Sequence, residues 1–187
     1  MSDAIHTPRL VLRNWRADDA PILYRFASHP EVGPNAGWKP HETLEESRNI
    51  IKTVLGGAHD YALVLRQTDM PVGSIRLRLY ETGDDDLGPG EAEIGFWLAV
   101  PYWGRGLMPE AVNTLLAYAF LQKECTSVWC KHFVDNERSR RVQQKCGFVY
   151  HHTELPKDTP VGVRQMVANR LTREQWQQRT AAASNPR

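Results

Sequence analysis

Seven stretches of the chain are predicted as β-strands, and in two of them, residues 9–15 and 91–99, the side chains divide between two alternating faces. In residues 9–15, for example, Val11, Arg13 and Trp15 fall on one face and the residues between them on the other. The predicted strands are residues 9–15, 61–67, 72–80, 91–99, 127–134, 148–153 and 163–171.

Helices are predicted where apolar residues recur every three to four positions. Ala111, Leu115 and Tyr118 fit one buried helical face, while Thr43 and Glu46 have the spacing of a capping box at a helix start. The predicted helices are residues 18–29, 43–55, 109–122 and 136–145.

The resulting order, β-α-α-β-β-β-α-β-α-β-β, favours one mixed α/β domain in which helices flank a sheet. We assign that domain to residues 1–178. Residues 179–187 have little apolar surface to bury, so we expect a disordered tail there.

Length and charge narrow the possible functions. The chain has 187 residues, enough for one domain with a sizeable core, and its 23 Lys and Arg balance 22 Asp and Glu to a net charge of +1. That balance argues against nucleic acid as the partner. No apolar run approaches the roughly 20 residues that cross a membrane. Three cysteines cannot all pair, which fits the reducing cytoplasm.

The segment at residues 100–111 carries the clearest chemical signal. A strand leads into a loop containing Gly104, Arg105 and Gly106, and Pro109 is expected to open the following helix. Such a loop can direct free N–H groups and the positive end of the helix dipole at a phosphate, to which Arg105 would add its charge. On these residues alone, a plain strand-to-helix turn explains the two glycines equally well.

Longer motifs decide between these two interpretations. The runs EIGFWL at 93–98, YWGRGLMPEA at 102–111 and NERSRRVQQKCGF at 136–148 together resemble the GNAT superfamily of N-acetyltransferases. The opening TPRLVLRNW at 7–15 and the closing RLTREQW at 170–176 resemble the branch of ribosomal-protein alanine N-acetyltransferases. The similarity spans residues 7–176 and implies a mostly antiparallel twisted sheet, splayed between the fourth and fifth predicted strands.

The resemblance implies acetyl-CoA as the cosubstrate, no metal, and two groups of binding residues. Asn136 is expected to bond the pantetheine arm, with Ser139 one helical turn further on. The strand backbone expected to pair with pantetheine is that of Trp97, Leu98, Ala99 and Val100. The loop expected to hold the pyrophosphate consists of Trp103, Gly104, Arg105, Gly106, Leu107 and Met108.

Three residues depart from the pattern of the family. Trp103 stands where relatives usually have Gln or Arg, and Met108 where they usually have a small residue. Gln143 occupies the position of a tyrosine that many relatives place four residues before the Gly-Phe pair, so a tyrosine general acid is not expected here.

The expected reaction is direct attack of a neutral amine on the thioester carbonyl. Glu93 is the candidate general base, acting through water, and a half-buried carboxylate paired with an arginine is the equally weighted alternative. Ser139 is the candidate acid for the leaving thiolate, with a serine that only caps or bonds coenzyme A as its alternative. Trp38 and His41 are candidate residues of the acceptor site, although a packed aromatic and a surface imidazole explain them as well.

Two other functions stay open. Cysteines and histidines between residues 125 and 152 could form a zinc-binding interaction module, but their spacing matches no known ligand pairing. A catalytically silent acyl-CoA sensor on the same fold is the second alternative. For an enzyme, the acceptor could be a protein N-terminus or a small amine, and a homodimer is possible.

Overall fold

Residues 4–184 are described by the structure, which is a computed structural model. The strands are β1 (Ile5–His6), β2 (Leu10–Asn14), β3 (Asp60–Leu65), β4 (Met70–Leu79), β5 (Glu91–Leu98), β6 (Ser127–Phe133), β7 (Val149–Thr153), β8 (Lys157–Thr159), β9 (Gly162–Arg164) and β10 (Met166–Thr172). The helices are α1 (Ala20–Ala27), α2 (Gly33–Ala36), α3 (Leu44–Thr53), α4 (Leu107–Leu121), α5 (Glu137–Lys145) and α6 (Arg173–Ser184).

These elements form two compact units. The first contains residues 4–76, 96–111 and 157–164, and the second contains residues 77–95, 112–156 and 165–184. Strands β4 and β5 and helix α4 each contribute residues to both units.

In the first unit, antiparallel strands run in the order β1-β2-β3-β4. Helix α1 and helix α3 supply apolar residues to the core there, because each carries one apolar face. Thr43 caps α3 as the sequence predicts, since its side chain accepts the Glu46 amide at 3.0 Å. The buried residues of this core are Trp15, Ala20, Leu23, Ala27, Ile51, Ala62 and Val64.

In the second unit, β6 pairs with β10 and β10 with β7, both antiparallel, while β5 pairs with β6 in parallel. The parallel ladder is short: it joins Glu91–Glu93 to Ser127–Trp129 and goes no further. The fold class predicted from the sequence, a mixed α/β domain with a mostly antiparallel sheet flanked by helices, is confirmed. The splay expected between these two strands stays a prediction.

The last helix corrects one expectation about the C-terminus. Residues 173–184 form α6, so the tail predicted from residue 179 is helical as far as Ser184, and residues 185–187 lie outside the described residues. The reason is visible in Arg179, whose side chain donates to the carbonyl oxygens of Cys146 and Lys145. A polar anchor, which apolar patterning does not reveal, holds this helix.

Two further boundaries differ from the pattern-based ones. The connection at residues 154–162, expected to be a loop, contributes β8 and the start of β9, a short antiparallel hairpin. Helix α4 begins at Leu107, two residues before Pro109. Proline is tolerated there because the first four N–H groups of a helix have no partner within it.

Candidate active site

The end of β5 directs its backbone groups to alternate edges, as strand geometry requires. The Ala99 amide donates to Val72 O at 2.8 Å, on the side of β4. A Cβ added to Gly73 would lie 2.5 Å from Trp97 O, so this carbonyl also faces β4. The backbone of Leu98, between them, therefore faces the opposite edge.

Among the four residues expected to pair with pantetheine, the Leu98 backbone has this orientation, while Trp97 O and the Ala99 amide are directed to β4. Val100 O accepts the Trp103 amide at 3.1 Å in a tight 3-10 turn. The backbone contacts with pantetheine stay a prediction.

Trp103, the first departure from the family pattern, ties the loop to the strand. Its indole Nε1 donates to Leu98 O at 2.7 Å. One side-chain hydrogen bond therefore holds the loop entrance against the last residue of β5.

Both loop glycines have a backbone conformation that favours glycine. Gly104 and Gly106 have φ of +74° and +75°. A Cβ added to Gly104 would meet nothing within 4 Å, and one on Gly106 would meet only Arg9 Nη2, at 3.5 Å. The positive φ, and not crowding, requires glycine at both positions, and the space beside Gly104 is open.

The loop ends in a group of amides at the start of α4. The Glu110 amide donates to Gly106 O at 3.3 Å, and Pro109 has no N–H. Within residues 4–184, the amides of Gly106, Leu107 and Met108 have no acceptor. Three N–H groups at the positive end of a 15-residue helix are an arrangement that can bind an anion.

Side chains of the loop divide into buried and exposed ones. Leu107 and Met108 are buried, so they offer the loop only their amides. Arg105 is exposed, with its guanidinium 5.4 Å from the centre of the Tyr102 ring. Tyr102 in turn contacts Phe26 edge-on at 6.0 Å between ring centres. The sequence did not single out Tyr102, because a tyrosine before two glycines has no recognisable spacing signal.

In the second unit, Asn136 and Ser139 lie together at the start of α5. Asn136 Oδ1 accepts the Ser139 amide at 3.1 Å and caps the helix. Gln143 Nε2 donates both to Ser139 Oγ at 3.2 Å and to Lys131 O at 3.1 Å, and Gln143 Oε1 accepts from Asn169 Nδ2 at 2.6 Å. Gln143 is buried, and these bonds satisfy its amide.

Glu93 forms ion pairs in this structure. Its Oε2 accepts from Arg78 Nη2 at 3.2 Å and lies 3.9 Å from Lys131 Nζ. Its side chain is 25% exposed. The alternative interpretation, a half-buried carboxylate paired with an arginine, describes this geometry. The role of Glu93 as a general base acting through water stays a prediction.

Trp38 and His41 belong to an aromatic group in the first unit. The Trp38 ring centre is 5.1 Å from that of His41 and 6.0 Å from that of Trp97, which stacks on Trp15 at 6.3 Å. His41 is buried rather than on the surface, and its Nδ1 lies 2.8 Å from Ser47 Oγ. Burial lowers the pKa of His41, an effect that the charge of nearby Glu46 partly offsets.

The cysteines are buried free thiols. Burial raises the pKa of Cys146 to about 12, which disfavours the thiolate. Across the described part of the chain, no three His, Cys, Asp or Glu side chains are grouped so that they could hold a metal ion. Nor does any helix within residues 4–184 have the length and apolarity needed to span a membrane.

The family model for the acetyltransferase (GNAT) domain matches residues 9–149. The chain belongs to the GNAT acetyltransferase family. It is accordingly an acyltransferase.

One curated relative and two solved structures illustrate the similarity. An uncharacterized N-acetyltransferase p20 of Bacillus licheniformis is 26% identical over 151 residues, 78% of this chain and 82% of that protein. The ribosomal-protein-S5-alanine acetyltransferase of Vibrio fischeri superposes with a TM-score of 0.75 at 15% identity, covering 94% and 99% of the two chains. The structure of AAC(6')-Ib in complex with ribostamycin and coenzyme A superposes with a TM-score of 0.69 at 21% identity, covering 90% of this chain and 96% of that one.

Proposed function

We propose that this GNAT acetyltransferase moves the acetyl group of acetyl-CoA onto a primary amine by direct attack. The observation that carries the proposal is the group of amides of Gly106, Leu107 and Met108, which follows Gly104, where the missing Cβ leaves open space. A diphosphate suits such a site, because its anionic oxygens can accept hydrogen bonds from several backbone amides at once. The coenzyme A bound to AAC(6')-Ib, a protein of the same fold, supports this choice.

The chain offers further groups for the rest of the coenzyme. Arg105, exposed and held over Tyr102, would approach a phosphate from the loop side. The Leu98 amide would donate to pantetheine or to the thioester oxygen, and the side chain of Asn136 would bond the pantetheine arm. Trp97 and Ala99 would contribute packing rather than backbone hydrogen bonds, since Trp97 O and the Ala99 amide are directed to β4. The Val100 amide stays a proposed contact of the pantetheine arm.

The chemistry requires three actions: the amine must be neutral, the developing oxyanion must be stabilised, and the departing thiolate must gain a proton. We assign stabilisation of the oxyanion to the Leu98 amide. We assign the proton donation to Ser139, because Gln143 donates to its Oγ and leaves the serine O–H to donate elsewhere. Glu93 is proposed to accept the proton of the amine through water.

Arg78 and Lys131 already contact Oε2 of Glu93, so less of this carboxylate is available to take a proton from the amine. We therefore favour an acceptor that needs little help. An α-amine with a pKa near 8 is already partly neutral at pH 7.5, whereas a lysine with a pKa near 10.4 is not. A protein N-terminus is our first choice of acceptor, and the S5-alanine acetyltransferase among the structural neighbours supports it.

Small amines are the second choice of acceptor, because AAC(6')-Ib with ribostamycin shares the fold. The aromatic group of Trp38, His41 and Trp97 would line the acceptor side in either case. The proposed location is the cytoplasm, a reducing compartment in which the three buried thiols would stay free. A homodimer stays a prediction.

A catalytically silent acyl-CoA sensor is the second candidate function, and the ion-paired Glu93 is the observation that favours it. Turnover separates the two. Acetyl-CoA is incubated with peptides bearing free N-termini, with the same peptides blocked at the N-terminus, and with small amines, and released thiol is measured. Thiol release with free but not blocked peptides supports the enzyme and its first acceptor class. Coenzyme A binding without thiol release from any amine would favour the sensor.

A further inference from the structure

Arg9, which lies between β1 and β2, contacts the amide-bearing loop from outside the motif that identified it. Its Nη1 donates to Arg105 O at 2.8 Å and its Nε to Glu110 Oε2 at 2.6 Å. Its Nη2 is the one atom that a Cβ on Gly106 would meet, at 3.5 Å. One planar guanidinium therefore contacts the loop and the first turn of α4 at once.

The carboxylate of Glu110 is itself held firmly. Its Oε1 accepts from Thr7 Oγ1 at 2.5 Å and from the Arg9 amide at 2.9 Å, and its side chain is only 15% exposed. Burial acts to raise the pKa of Glu110, but hydrogen bonds from Thr7 and Arg9 and the charge of Arg9 outweigh it, so the pKa is lowered. Glu110 thus stays charged and fixes the Arg9 guanidinium.

Holding the Arg105 carbonyl has a geometric consequence for the next amide. The described peptide bonds are all trans, and in a trans peptide the C=O and the following N–H point in opposite directions. Since Arg105 O points to Arg9, the Gly106 N–H points away from it, and this amide has no acceptor within residues 4–184. Without Arg9, the peptide unit between two residues of a glycine-rich loop could rotate freely.

We propose that Arg9 is a positioning residue: it sets the direction of the Gly106 N–H so that this amide is aimed at the diphosphate before the coenzyme arrives. The proposal rests on the proposed function, because it requires a coenzyme with a diphosphate. Amides oriented in advance bind an anion without a cost of ordering the loop. Arg9 acts through the loop, so its planar donor fork matters more than its charge.

The test compares two ligands that differ in the diphosphate. The dissociation constants of coenzyme A and of pantetheine are measured by calorimetry for wild type, Arg9→Gln and Arg9→Lys. For pantetheine, the weaker ligand, the constant is obtained from its competition with coenzyme A. We expect Arg9→Gln to weaken coenzyme A binding about tenfold, the effect of losing one charge-assisted hydrogen bond, and to leave pantetheine within about twofold. Arg9→Lys keeps the charge but not the fork, so it should resemble Arg9→Gln.

Arg66 supplies the matched control. It donates to the carbonyl oxygens of Thr7 and Pro8, on the same segment, but not to the loop. Arg66→Gln should leave both ligands unchanged, and thermal unfolding checks that all variants fold. If Arg9→Gln does not fold, Glu110→Gln gives the same comparison, with selective weakening of coenzyme A expected.

Three results would overturn the proposal: unchanged coenzyme A binding in Arg9→Gln, equal weakening of both ligands, or full recovery in Arg9→Lys. The last would mean that Arg9 acts by its charge. Absence of coenzyme A binding by the wild type would instead refute the proposed function itself, and the two failures are therefore distinguishable.

Discussion

Replacing Gly106 by alanine tests the backbone conformation on which the binding loop depends. The new Cβ would make only an ordinary contact, 3.5 Å from Arg9 Nη2, so the cost is conformational. A non-glycine residue in the left-handed region costs about 1–2 kcal/mol, of which about 0.4–1 kcal/mol is offset by the stiffer unfolded chain. We expect Gly106→Ala to lose about 1 kcal/mol of unfolding free energy, or to escape the strain by rotating the peptide.

Rotation would turn the Gly106 N–H away from its ligand. Losing one hydrogen bond to a charged group weakens binding about ten- to hundredfold. The assay is calorimetric titration of coenzyme A, paired with urea unfolding. Gly83→Ala is the control, because Gly83 has φ of +91° and a Cβ there would meet nothing within 4 Å. A stability loss clearly smaller than that of Gly83→Ala would indicate that the peptide has rotated, and wild-type affinity in that case would refute the role of this amide.

Further variants test the assigned groups. If Glu93 is the base, Glu93→Gln should lower kcat about 100-fold or more and remove the acidic limb of the pH–rate profile, whereas an unchanged profile would show a structural carboxylate. Ser139→Ala should lower kcat more than it raises the KM for acetyl-CoA. Gln143→Met, which cannot donate to Ser139 Oγ, should also lower kcat, but by less. An effect on KM alone would indicate that Ser139 only binds the coenzyme. Burial lowers the pKa of His41 in the folded state below its ordinary 6.5, so the unfolded state binds more protons in this range. The free energy of unfolding should therefore fall as the pH drops from 6.5 through the folded pKa. The slope should be at most about 1.4 kcal/mol per pH unit. His41→Gln should flatten this dependence in urea unfolding between pH 5 and 7.5, and an equally steep curve would contradict it.

Periodicity predicted the elements that bury an apolar face. Strands β2 to β6 and helix α4 lie close to their predicted ranges, and each buries apolar residues in the core. The elements that it missed are stabilised by other means. The hairpin of β8 and β9 is exposed along most of its length, and α6 is anchored through Arg179. Such contacts join residues far apart in the sequence, so no local pattern contains them.

The candidate site likewise contains features that local sequence patterns predict and features that depend on contacts between distant residues. Glycines before a helix predicted the loop, since positive φ and close approach of a ligand are local requirements. The contacts of Arg9 with Glu110 and Arg105 join segments about a hundred residues apart, and only the fold brings them together. The strand backbone shows a second limit. Four consecutive residues were expected to face the coenzyme, yet pairing with β4 turns Trp97 and Ala99 away.

Titration of coenzyme A into the folded wild-type chain tests the central claim most directly, because the amides of residues 106–108 are proposed to hold its diphosphate. We expect saturable heat corresponding to one site per chain, weakened by added pyrophosphate, which would compete for the same amides. A folded protein that gives no heat with coenzyme A would contradict both the binding loop and the acetyl transfer built on it.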